Sequence, residues 1–577
     1  MRPWARIACL AGLIAGIAAA SSRKLADPDL PWHLAVGRAV VATRSFPAAD
    51  SFSYTFPGKR VPYEYVSEVL LYLARRAAPD FGLPALLASC IAALLLLMRA
   101  RSKRSSGALD WFVLAAALIA LGPWLLVRPA TMGFPLLAAE LLILERHRRG
   151  GGRRELLALI PLQALWANVH AFAVLGAALI AFYGLYCVLC RFAGSPRSAL
   201  LPRAEGRDAA AVSAAAAAAA AATCLSSFGP EIFLGPLRVA GHERYIAEWT
   251  PASFQILIHY DPALLLLTLL ALAALLWGRG EGGRRFPNLY FLGLTSVSLC
   301  MALFRFRLSP IFIIAAAPML AERLWPLVRS WRSAPLLAAA MGLIVPIGLA
   351  AQAASPLGSG FDPGWIPVAA GDFIEAHQPQ GPVWNNLAFG GYLIWRFAPK
   401  IPVFIDGRTA YLYPNDFMED AWKAEVSTEA FASLSGKYGF EWAMVDARQT
   451  EPFGYSLIGD AGWAMVYVDD RAAIYVKAGG VNRELAKSSY KVLRHLTPWQ
   501  DLLLNPPKVS DLKDDVSKAL AQSPQSLHVH FWAAALAILE KDPAAMRLER
   551  NILAARGADA SLAQLEAEIS RAAPKPR

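Results

Sequence analysis

The sequence predicts a mainly α-helical, polytopic membrane protein of about eleven transmembrane helices, with a C-terminal extracytoplasmic α/β domain and a short helical tail. Three observations predict it. The chain has a mean hydropathy of +0.38, and 56% of its 577 residues are hydrophobic. Only 17% are charged, where a soluble chain of this size carries about 25%. The arginines and lysines fall in short clusters between apolar runs, which is how topology is written into a membrane chain. The formal net charge of +12 is spread over those clusters, so nucleic acid is rejected as a partner.

A spanning helix needs about 20 apolar residues. Suitable segments lie near 4–20, 81–98, 110–127, 129–145, 155–169, 171–190, 209–226, 261–277, 287–304, 309–321 and 334–353. Met1 to Ala20 also has the make-up of a signal peptide, but it is read as an uncleaved first span. Alternating the segments puts the dense basic loops on one side: Arg99 to Arg104, Arg146 to Arg154, Arg191 to Arg207, Arg279 to Arg285 and Arg323 to Arg332, with Arg2 and Arg6. By the positive-inside rule that side is the cytoplasm. Arg23-Lys24 is a minor exception. The basic loops read as topology signals and little else. The outer face then collects loop 21–80, the Arg128 turn, Asn168 and His170, loop 227–260 and the Arg305-Phe-Arg307 turn. The region beyond about 354 lies outside too.

The transmembrane part is 1–354, followed by an α/β domain at 355–480 and a helical region at 481–577. Val383 to Asn385, Val403 to Asp406, Trp442 to Asp446, Trp463 to Val468 and Ala472 to Val476 read as strands. Asp362 to His377 and Ser427 to Lys437 read as helices, and Asp469-Asp470-Arg471 as a hairpin turn. Gly390-Gly391 allows a close backbone approach. Leu527 to Glu540 and Met546 to Arg556 resemble one helical hairpin, too little for a repeat array. The six cysteines lie in or beside apolar segments, and no disulfide framework is expected.

Polar residues that could carry chemistry gather where the chain leaves the membrane. Asp27 and Asp29 lie just after the first span, with His33 close by. Carboxylates held there can bind a metal, deprotonate a hydroxyl or orient a phosphate. Glu64 and Glu68 lie one helical turn apart and share a face. Arg128, Arg305 and Arg307 stand at outer span ends, and guanidinium forks suit phosphate oxygens; they would serve equally as interfacial anchors. Asn168, His170 and His33 could hydrogen-bond hydroxyl groups or a phosphate of a ligand. Asp406 and Arg408 follow a predicted strand, where either turn chemistry or a site facing the membrane would account for them.

Several blocks together resemble a known group. Asp27-Pro-Asp-Leu-Pro-Trp-His33, Phe46-Pro-Ala-Ala-Asp-Ser-Phe-Ser-Tyr54, Glu64 and Glu68 look like the first outer loop of bacterial membrane proteins of the GT-C glycosyltransferase superfamily. Leu165-Trp-Ala-Asn-Val-His170, the Arg305 to Pro310 turn, Gly390-Gly-Tyr-Leu-Ile-Trp395 and Phe404-Ile-Asp-Gly-Arg408 are similar to later blocks. The resemblance implies an inner-membrane enzyme that takes a sugar from a polyprenyl phosphate and transfers it outside the cytoplasm. The acceptor would be a glycan, lipid or protein, and membrane lipids would surround the enzyme. It also implies an acid of the first outer loop as base or metal ligand. Here that falls on Asp27 or Asp29, with Mg²⁺ or Mn²⁺ as the metal and no complete ligand set visible. Pro28, which fixes φ near −65°, departs from adjacent-acid members and leaves both aspartates open as the base. Two other readings are a non-catalytic scaffold for envelope polysaccharide assembly and a transporter. Charged residues are nearly absent from mid-span, which counts against transport.

Overall fold

The computed structural model describes residues 2–47, 49–102, 107–195, 198–235, 247–279, 287–448, 457, 460 and 462–572. Parts of the basic runs at 103–104 and 280–285, and of loop 227–260 at 236–246, lie outside the described residues. The chain divides into two compact units: residues 1–48 with 61–360, and residues 49–60 with 361–577.

Each of the eleven apolar segments of the first unit forms an α-helix. Five helices among the described residues are long and apolar enough to cross a membrane: Pro3–Ser21, Gly82–Arg101, Ala173–Phe192, Phe306–Val328 and Ala334–Ala351. Shorter apolar helices cover Gly107–Ala120, Ala209–Thr223, Pro262–Leu276 and Leu289–Phe304, and Pro129–Arg148 and Leu159–Val169 complete the set. The protein is a multi-pass membrane protein. Pro3, Pro129, Pro262, Pro310 and Pro335 sit in the first turns of their helices, where the missing N–H costs nothing.

The charged helix ends do more than mark topology. Arg101 is buried and donates to Glu145 at 2.7 Å, and Arg149 donates to Glu322 at 2.6 Å. Glu205 accepts from Tyr186 at 2.9 Å and from Arg148 at 3.4 Å. A charge buried among packed helices needs such a partner. Arg23, the exception to the charge rule, donates to the carbonyls of Leu349 and Ser355 at 3.2 and 3.0 Å. It thereby takes up backbone acceptors around the C-terminal end of helix Ala334–Ala351.

Between the first two long helices, Leu30–Thr43 and Tyr65–Ala77 pack against each other. Gly37 makes this possible: a Cβ there would run into the Glu68 carbonyl.

The second unit holds a four-stranded sheet in the order β1-β2-β4-β3, with β1 Val383–Asn385, β2 Trp442–Asp446, β3 Trp463–Val468 and β4 Ala472–Lys477. β1 and β2 are parallel, and the other pairs are antiparallel. A parallel pair needs a crossover, which helices Leu387–Phe397, Asn415–Val426 and Thr428–Tyr438 supply; the first two were not expected. Asp469 closes the β3–β4 hairpin, its Oδ1 accepting from the N–H groups of Arg471 and Ala472, both at 2.7 Å.

Two expectations need correction. Val403 to Asp406 is not a strand: Val403 makes a single bridge to Ser53, and Asn385 engages the segment through bonds to Phe404 N and Ile405 O. The helix read over 362–377 begins at Val368, because Asp362 turns the chain back onto Trp365 and Ile366 and Pro367 follows. The expected hairpin is present as Leu527–Glu540 and Pro543–Ala555, between helices Val509–Gln522 and Asp559–Ala572.

Candidate active site

In the first unit the chain turns sharply after helix Pro3–Ser21. Asp27 makes that turn, its Oδ1 accepting the Asp29 N–H at 2.9 Å. Asp29 stands at the head of helix Leu30–Thr43 and its Oδ1 accepts the Trp32 indole N–H at 3.2 Å. Pro28 lies inside the tight turn that Asp27 Oδ1 closes onto the Asp29 N–H.

Arg128, which precedes helix Pro129–Arg148, is buried beside this turn, its Nε 3.8 Å from Asp27 Oδ2. Neither Asp27 Oδ2 nor Arg128 Nε has a hydrogen-bond partner among the described residues. Glu248 accepts from Nη1 and Nη2 of Arg128 at 3.4 Å, and from Arg307 through its other oxygen. Arg307 lies in the short turn Phe306–Leu308 at the head of helix Ser309–Val328.

A second group of polar side chains stands behind. His33 lies 3.2 Å from Glu68 through Nδ1, both buried. Glu64 accepts the Ala171 N–H at 3.0 Å, with His170 Nε2 3.7 Å away. His170 in turn accepts the Phe172 N–H at 3.0 Å through Nδ1.

The electrostatics follow from burial. The Asp29 carboxyl is pushed up to about 7, by burial first and then by the charge of Asp27. Asp27 is also raised by burial, against the pull of Arg128. Glu64 is pushed up to about 8 by burial, although the Ala171 N–H and Arg307 oppose it. Burial and the nearby arginines hold His170 down at about 3, so its imidazole is neutral.

The structure thus gathers Asp27, Asp29, His33, Glu64, Glu68, Arg128, His170 and Arg307. Asn168 is turned elsewhere: its amide donates to Ala164 O at 2.8 Å and Leu225 O at 2.6 Å. Arg305 lies over the Phe304 ring at 4.9 Å. Asp406 and Arg408 lie in the second unit, buried and bonded to each other, to Asp50 and to Tyr413. Glu248 was missed by sequence reasoning; the available signal was an acid next to Trp249 in loop 227–260, which the charge pattern expects on the same face as the two arginine turns. Asp27 and Asp29 gain no third ligand, since no group of three His, Cys, Asp or Glu side chains able to hold a metal occurs among the described residues.

No protein-family model matches the sequence, and no curated protein matches it. Solved structures do. The archaeal oligosaccharyltransferase AglB from Archaeoglobus fulgidus, in complex with an inhibitory peptide and a dolichol-phosphate, aligns with a TM-score of 0.55 at 12% identity, over 93% of this chain and 85% of that one. The same oligosaccharyltransferase tethered to an acceptor peptide aligns at 0.52 and 11% identity, over 83% and 74%. Its complex with Zn and sulfate aligns at 0.51 and 11%, over 92% and 85%. At such identity the likeness is one of fold: this chain shares the fold of those oligosaccharyltransferase structures.

Proposed function

We propose that the chain is a membrane glycosyltransferase that moves a sugar from a polyprenyl-phosphate donor to an extracytoplasmic acceptor, an envelope glycan, lipid or protein. The carrying observation is the meeting of the Asp27–Asp29 carboxyl pair with Arg128 and Arg307 in one cluster. Transfer from a phosphate needs a base for the acceptor hydroxyl and positive charge for the leaving phosphate. Both are supplied here by residues from different helices.

In the proposed reaction the acceptor oxygen attacks the anomeric carbon and the bond from that carbon to the phosphate oxygen breaks. The hydroxyl proton passes to a carboxylate. Asp29 suits that role because its proton affinity near neutrality matches the task. Asp27 holds the turn and faces Arg128. The phosphate leaves onto the guanidinium forks of Arg128 and Arg307. Neutral His33 and His170, with protonated Glu64, provide hydrogen bonds behind the site without adding charge.

The test is sugar transfer by Asp29→Asn and Arg307→Gln in isolated membranes. Loss of transfer at normal expression supports the reading. Full transfer by both variants contradicts it and favours a non-catalytic scaffold.

A further inference from the structure

Two arginines of the cluster share one carboxylate. Glu248 Oε1 lies 3.4 Å from Nη1 and Nη2 of Arg128, and Oε2 accepts from Arg307 Nη1. A carboxylate with one oxygen on each guanidinium takes the position that a phosphate would take, since the planar fork recognises both anions through the same hydrogen bonds. Arg128 also faces Asp27. With Asp27, Asp29 and Glu248 facing them, the two cations are surrounded by three acids, and little field is left to attract an anionic donor.

Local structure allows Glu248 to leave. It sits on one short turn, Ala247–Trp249, and its side chain keeps 34% exposure. The chain is pinned just after it: Phe306 N–H donates to Thr250 O at 3.0 Å, and Ala252 N–H to Leu303 O at 2.9 Å. Those bonds hold 250–252, and among the described residues the turn before them is tied to the arginine pair through the ion pairs of Glu248 and through Trp249, whose ring lies 5.6 Å from the Arg307 guanidinium. The contact to Arg128 is long, because a well-formed charge-assisted bond measures about 2.7–2.9 Å.

Resting on the donor reading above, we propose that Glu248 is a built-in placeholder for the donor phosphate, occupying the Arg128–Arg307 pair in the empty protein and displaced when a polyprenyl-phosphate ligand arrives. Glu248 is then a specificity-determining residue. An incoming anion has to outcompete a tethered carboxylate: the sugar-bearing donor, a phosphodiester, brings one charge and two oxygens for the guanidinium forks, and the polyprenyl monophosphate released after transfer brings up to two charges. Filling the site also frees the 247–249 turn.

The experiment uses the full-length protein in nanodiscs with a polyprenyl monophosphate as probe. Its Kd is measured for wild type, Glu248→Gln, Arg128→Gln and Arg307→Gln, and hydrogen exchange is followed at 247–249. The expected result is about tenfold tighter binding by Glu248→Gln, a gain of about 1.4 kcal/mol, and weaker binding by both arginine variants. In wild type, the probe should speed exchange at 247–249, a readout that needs no variant to fold. Equal or weaker binding by Glu248→Gln, or slower exchange in wild type on adding the probe, overturns the placeholder and makes Glu248 a brace for the arginines. Should both arginine variants bind the probe as wild type does, the donor reading itself fails.

Discussion

The protein contains two clusters of aspartate and arginine that differ in how completely they are bonded. In the second unit, Arg408 donates to both oxygens of Asp406, at 2.7 and 2.6 Å, and also to Asp50. Tyr413 O–H adds a bond to Asp406 at 2.7 Å, and Asp50 accepts the N–H groups of Phe52 and Ser53. In the first unit, Arg128 stands 3.8 Å from Asp27 and 3.4 Å from Glu248, Arg307 donates to the other oxygen of Glu248, and Asp27 Oδ2 and Arg128 Nε have no hydrogen bond among the described residues. Closed bonding of buried charges marks a structural lock, because nothing is left to bind. Open bonding at buried charges is costly unless a ligand completes it. On the proposed function, the first kind of cluster serves stability and the second serves the chemistry.

Substitutions at the open cluster should have the largest effect. Asp29→Asn should lower transfer by about 10²–10⁴-fold, the usual worth of a positioned base. Arg307→Gln should lower it by about 10²–10³-fold, the usual worth of a preorganised charge on the leaving group. Both are read as initial rates in membranes holding equal amounts of protein. In the closed cluster, Arg408→Met leaves Asp406 and Asp50 buried without their cation. It should destabilise the second unit by about 3–5 kcal/mol, read from denaturant unfolding. The comparison breaks if Arg307→Gln unfolds the protein while Arg408→Met leaves its stability unchanged.

A pH profile sharpens the comparison. The Asp29 carboxyl is raised to about 7, so its basic form predominates only above that pH. Transfer should therefore rise as pH passes upward through about 7, and Asp29→Asn should remove that limb. Asp406 behaves in the opposite way. Burial alone would raise it, but Arg408 and Tyr413 hold it below its ordinary value. Its contribution to stability is present above the ordinary carboxylate range and is lost only as acid titrates it below that range.

Close packing gives the smaller effects. At Gly390 a Cβ would collide with the Ile405 carbonyl, so Gly390→Ala should cost about 1–3 kcal/mol in the unfolding of the second unit. Asn168→Ala should cost about 1 kcal/mol, through the lost bond to Leu225 O.

Much of this was legible in the sequence because its cause is local. Apolar length placed the eleven apolar helices of the first unit, though not Leu30–Thr43 or Tyr65–Ala77, and short β-rich runs placed the four strands. The turn carrying Asp27 and Asp29 stood out because two acids follow a span directly. What was not legible depends on distant partners. Residues 49–60 read as part of an outer loop, yet Tyr54 O–H donates to Val383 O and Ser53 pairs with Val403, contacts that no local pattern encodes. Val403 to Asp406 carried a strand signal but lacks a ladder partner. Glu248 was hidden because its meaning comes from Arg128 and Arg307, which lie 120 and 59 residues away in sequence.

The most direct measurement of the central claim is transfer from radiolabelled polyprenyl-phosphate sugars to native acceptor extract, in membranes carrying wild type, Asp27→Asn or Asp29→Asn at matched expression. The account predicts labelled product with wild type, near-complete loss with Asp29→Asn and a marked reduction with Asp27→Asn. Equal product from all three would contradict it, and would remove the carboxyl pair from the chemistry of this fold.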